Sequence, residues 1–157
     1  MISLNKIKKL SFFDIEKQAG TYQPFEEIKE EEGFPLVIWH RKIFKMPLGK
    51  FSVHDICRSC QQKFHLNYLV PLALELLEHN PLSGEMYDGQ VYFSLESIPS
   101  LFWDFHPDER DKLFNLIKQN YHLFDEEIKK DVTSLLIKMK KDLSFGKGTK
   151  EGSPGTQ

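Results

Sequence analysis

Four residues in the stretch HDICRSCQQKFH have side chains that can hold a metal or do redox chemistry: His54, Cys57, Cys60 and His65. Cys-x-x-Cys is half of a zinc site, and two imidazoles would complete a tetrahedral set. The spacing works against it. On one continuous helix, His54, Cys57 and Cys60 drift around the axis and do not converge on one ion, and His65 would have to fold back. A redox dithiol needs the helix N-terminus, where the thiol pKa is lowered, whereas this pair falls mid-helix. The plainer reading is two free thiols facing the core. A small metal-binding regulator or enzyme using these four residues stands as the alternative.

The remaining histidines, His40, His79, His106 and His122, have no spacing that places a metal or a serine nucleophile beside them. No Gly-x-Ser-x-Gly, phosphate loop or dinucleotide fingerprint is present. The chain therefore reads as a non-enzyme, with no catalytic residue, no metal and no cofactor. Basic stretches such as KIKK and KKDVTSLLIKMKK could meet phosphate. However, the pI of 6.3 and an acidic centre oppose nucleic-acid binding, which favours pI values above about 9.

The elements that would position these groups are helical. Ser52 reads as an N-cap with Asp55 closing a capping box, for a helix running to about Lys63. Leu66, Leu69, Val70, Ala73, Leu76 and Leu77 form the apolar stripe of the next helix, with Asn67 as its cap and Pro71 near its start. Asn80-Pro81 ends it. Pro107 suits a first helical position, with Asp108 and Glu109 at the positive end of the dipole. Ile128, Val132, Leu135, Leu136, Met139 and Leu143 line a last helix that starts at Asp125. Two segments are ambiguous. Residues 36–46 fit a helix by spacing and a strand by their β-branched and aromatic content. Residues 90–103 read either way as well. Residues 25–32 make at most a short acidic surface helix.

With 157 residues, 40% of them hydrophobic and 28% charged, the chain has the size and composition of one globular domain. The expected fold is all-α: six or seven helices over residues 1–143, then a disordered Gly/Ser/Thr-rich tail over 144–157. Two cysteines and no secretory signal pattern indicate a reducing, cytoplasmic setting. The longest apolar run, Tyr68 to Leu74, is far too short to span a bilayer.

The net charge of −2 conceals a segregated pattern. Residues 64–111 hold nine acids and a single base, Arg110, between mildly basic flanks. Such a block either caps helices and solvates surfaces or forms an acidic face for a basic partner. Within it, LSGEMYDG follows the Asn80-Pro81 break and places Glu85, Tyr87 and Asp88 on a Gly-containing, flexible loop. Trp103 and Asp104 form a second aromatic–acid pair, although Trp103 between Leu101, Phe102 and Phe105 fits a core position equally well. Rings beside acids suit a hot spot facing an Arg/Lys-rich protein. Glu85, Tyr87, Asp88 and Asp104 are the candidate partner-binding residues.

The stretch from Met46 to Trp103 resembles the immunity proteins of bacterial contact-dependent growth inhibition systems. The resemblance is carried by Pro47, Leu48 and Phe51 of a turn, by Asp55 and Gln62, and by Leu66, Tyr68, Leu69, Pro71, Leu72, Ala73 and Leu77 of a "YLVPLALELL" helix. It continues through Asn80, Pro81, Gly84, Tyr87, Gly89 and Trp103. It covers roughly residues 10 to 120. The chain departs from the family pattern at His54–Cys57, at Cys60–Gln62 and at Gly89–Tyr92, each within a matched run without a gap. The resemblance implies a cytoplasmic protein that binds the toxic C-terminal domain delivered by a neighbouring sibling cell and blocks it. Many such toxins are nucleases with basic clefts, which an acidic block would suit.

Overall fold

A computed structural model describes residues 2–25 and 33–143. Among these residues every regular element is helical. Two short helices, α1 (Leu4–Lys9) and α2 (Phe12–Ala19), come first, followed by α3 (Pro35–Ile43), α4 (Val53–Gln61) and α5 (Leu66–His79). Then come α6 (Gln90–Glu96), α7 (Ser100–Phe105), α8 (Pro107–Asn120) and α9 (Glu126–Met139), with short 3-10 turns at Leu48–Lys50 and Tyr121–Leu123. The all-α expectation is borne out. The helix number exceeds the expected six or seven because two helices, α1 and α2, form near the N-terminus, where the sequence reading placed none. The predicted acidic helix over 25–32 and the predicted tail over 144–157 fall outside the described residues, apart from Phe25.

Local chemistry sets several boundaries. Ser52 accepts the Asp55 amide while Asp55 accepts the Ser52 amide, both at 3.1 Å, so the predicted capping box starts α4. The other oxygen of Asp55 accepts the Trp39 indole N–H at 2.9 Å and ties α3 to α4. A second box, Ser11 with Asp14, starts α2. Pro35 and Pro107 occupy first-turn positions of α3 and α8, where a missing N–H costs nothing. Asp125 caps α9 through the Ile128 amide.

The start of α5 differs from the sequence reading. The N-cap is His65, not Asn67, and its backbone is left-handed (φ 48°). Lys63 is also left-handed (φ 61°), so the chain reverses tightly after α4 and resumes helix two residues earlier. His65 is held there by Glu16, whose carboxylate lies 2.7 Å from its Nε2. Pro71 consequently sits in the second turn and removes one intrahelical hydrogen bond.

The ambiguous segments both resolve as helix, α3 from the first and α6 with α7 from the second. Val91, Tyr92, Leu95 and Ile98 are buried, a spacing of one, three and three that a helix delivers to one side. The core gathers around α5, which packs on α4, α6, α8 and α1, while α9 closes over α6, α7 and α8.

Candidate functional site

The loop between α5 and α6 is pinned rather than flexible. Asn80 Oδ1 accepts the Leu82 amide at 3.0 Å, and the Asn80 carbonyl accepts the Ser83 amide at 2.9 Å. The Gly89 amide returns to the Leu82 carbonyl at 3.0 Å. From α6, the buried Gln90 side chain reaches back, and its Oε1 accepts the amides of Glu85 and Met86 at 2.8 and 3.0 Å. Two glycines permit this path. A Cβ on Gly84 would stand 1.9 Å from the Tyr87 carbonyl oxygen. Gly89 is left-handed (φ 83°) and abuts α9, where a Cβ would meet Ile128 Cγ1 at 2.5 Å.

On this rigid frame the predicted residues divide by role. Glu85 is exposed, yet its Oε1 accepts the His54 amide at 3.2 Å. It thereby satisfies an orphan donor in the first turn of α4 and places a negative charge at the positive end of that helix. Asp88 is exposed at the loop's tip. Tyr87 is half exposed and rests edge-on against Phe93 of α6, with ring centroids 6.5 Å apart. Its phenol is pushed above the usual range by partial burial, with the charge of Asp131 on α9 adding to it. Asp104 lies elsewhere. It pairs with Lys140, just past the end of α9, at 3.2 Å. Asp131 and Lys140 are nine residues apart in sequence, or roughly 13 Å along a helix. Trp103, its neighbour, is fully buried and belongs to the core, so the second aromatic–acid pair does not form at the surface.

Four residues that sequence reading did not single out, Phe93, Asp131, Glu96 and Glu127, complete the surroundings. Phe93 is 43% exposed although its helix is otherwise largely buried. Asp131 has its carboxyl pushed up by burial first, then by Glu96 and Glu127, with Lys130 only partly offsetting them. Nearby lysines are engaged elsewhere: Lys138 pairs with Glu96 at 3.2 Å and Lys129 lies over the Tyr121 ring. A signal existed for Glu127 and Asp131, which share a helix face at a spacing of four. None existed for the effect of Asp131 on Tyr87, which depends on Gly89 of the loop lying against Ile128 of α9.

In the histidine–cysteine stretch, Cys57, Cys60 and His65 have structural surroundings. Cys57 and Cys60 are free and buried, and burial pushes the Cys60 thiol far above its ordinary range. His65 is committed to Glu16. Among the described residues, no group of three or more His, Cys, Asp or Glu side chains could hold a metal ion.

The model of the family of CDI immunity proteins matches residues 22–113. The chain belongs to the CDI immunity proteins. No curated protein matches it. In this immunity protein the matched stretch contains α3 to α7, the start of α8 and the whole loop bearing Glu85, Tyr87 and Asp88. Helix α9, with Glu127 and Asp131, lies beyond it. No helix among the described residues is long and apolar enough to cross a membrane.

Proposed function

We propose that this immunity protein acts in the cytoplasm by binding the toxic C-terminal domain of its contact-dependent growth inhibition system and neutralising it without turnover. The observation that carries the reading is the pinned loop, which holds Glu85, Tyr87 and Asp88 at the surface beside further carboxylates. A rigid loop loses little entropy on binding, so its contacts translate efficiently into affinity. An acidic surface speeds encounter with a basic partner and makes binding salt-dependent, because exposed charges are screened over about 8 Å at physiological ionic strength. A nuclease domain with a basic cleft has the complementary charge. Asp104, at the far end of α9, joins the interface when the partner spans that edge. Residues 1–143 are proposed as the functional unit, with 144–157 as a dispensable tail.

Induction of the cognate toxin domain in cells, with and without this protein, tests the reading. Growth rescue by this protein, and none by an unrelated immunity protein, is the expected result. Toxicity undiminished by amply expressed protein would refute it. A chain ending at residue 143 is expected to protect equally well.

A further inference from the structure

An exposed apolar surface lies where the loop, α6 and α9 meet. Met86, Tyr87 and Phe93 are 72%, 49% and 43% exposed there. Large apolar side chains grouped at a surface mark an interaction site more reliably than scattered ones do. The charge around them specifies what would cover them. Asp131 stands one helical turn beyond Ile128, the α9 residue that abuts Gly89 of the loop, and Glu96 of α6 and Glu127 of α9 add to burial in pushing its carboxyl up. Asp131 has no cationic side chain paired with it among the described residues. Glu96 is already paired with Lys138. The face therefore combines two aromatic rings in edge contact with a carboxylate that no ion pair among the described residues neutralises and that Lys130 offsets only in part.

Resting on the toxin-binding reading above, we propose that Tyr87, Phe93 and Asp131 together seat one arginine of the toxin domain. A guanidinium is flat, remains charged at all relevant pH values and is weakly hydrated. It can lie against an aromatic ring while donating two N–H groups to a carboxylate. The compact, strongly hydrated ammonium of lysine exploits rings less well. Met86 offers an adaptable apolar contact for the side chain beside that arginine. The seat also accounts for a carboxylate kept where the fold alone disfavours its charge, since an arriving cation relieves that repulsion. Binding sites commonly retain groups that reduce the stability of the free protein.

The test uses the full-length protein and its purified cognate toxin domain, with affinity measured by calorimetry at fixed salt. Asp131→Asn and Tyr87→Ala are each expected to weaken binding roughly thirtyfold, as hot-spot residues do. Asp131→Asn is expected to melt no lower than the wild type, an outcome that a merely structural role would not give. Asp108→Asn, an exposed acid at the start of α8, serves as the control for general charge loss and should change affinity less than threefold. Replacing the toxin's arginines singly should expose one whose loss is not additive with Asp131→Asn. Wild-type binding with Asp131→Asn and Tyr87→Ala no weaker than the control would overturn the seat and leave the toxin-binding reading intact. Absence of wild-type binding would overturn both. If Tyr87→Ala loses helicity, Tyr87→Leu, which keeps apolar bulk but removes the ring, decides the aromatic part by the same criterion.

Discussion

Gly89→Ala should disrupt the loop in a way that a second substitution partly repairs. Gly89 is left-handed at φ 83°, and an added Cβ would lie 2.5 Å from Ile128 Cγ1 and 2.9 Å from its Cδ1. The backbone penalty for alanine in that conformation is about 1 kcal/mol. Forcing a methyl into a packed contact adds about 1–3 kcal/mol. Gly89→Ala should therefore cost about 2–4 kcal/mol, or roughly 4–16 °C in melting temperature for a domain of this size. Ile128 is buried, and Ile128→Ala alone should cost about 3 kcal/mol through the cavity it leaves. Of the three atoms nearest the new methyl, the double variant keeps Ile128 Cβ, at 3.5 Å. The clash disappears while the backbone penalty remains, so the double variant should cost about 4 kcal/mol rather than the additive 5–7. Urea denaturation with a constant m-value measures all three variants. Additivity within about 0.5 kcal/mol would refute the contact between loop and α9 as the reason for glycine. Gly89→Ala should also weaken toxin binding, because Tyr87 is held by the same loop.

Glu85→Ala should lower stability by about 1 kcal/mol through loss of the α4 contact, whereas Glu85→Gln keeps an acceptor for the His54 amide and should cost less; thermal melts compare them. Cys57 and Cys60 should resist a thiol reagent in the native protein and both react in denaturant, since they are buried and burial raises both thiols; fast native labelling would refute this. Asp131 has a folded pKa above its ordinary value of 3.8, so the native state binds that proton more tightly than the unfolded chain does. Its contribution to stability is then highest below about pH 3.8 and is lost as pH rises through the folded pKa. Asp131→Asn should gain stability relative to the wild type across that window, as denaturation at pH 3 and pH 7 will show.

The short-range features were legible because their causes lie within a few residues. Ser52 and Asp55 form their box three residues apart, Asp125 caps α9, and the stripe from Ile128 specifies a buried face by its period, although α9 ends at Met139, where Lys140 turns left-handed, and does not reach the predicted Leu143. Glu85, Tyr87 and Asp88 could be placed on a loop because Asn80-Pro81 must end α5. The family membership is shown by the match over residues 22–113. What sequence did not decide depends on contacts between distant residues. VYFSL has the composition of a strand, and becomes helix because Val91, Tyr92 and Leu95 find α9 and the core on one side. Asn67 has the chemistry of a cap, but the turn through Lys63 and His65, held by Glu16, begins α5 before it. Trp103 and Phe93 are both aromatic and both helical, yet one is sealed in the core and the other reaches the surface. Only tertiary packing chose between them, because exposure is set by what the opposite helix covers. The same packing brought Asp131 to Tyr87 through Gly89 and Ile128, joining a loop to a helix some forty positions away. Composition and periodicity thus determined that this chain is helical and centrally acidic, whereas the folded arrangement determined which acids and rings share a face.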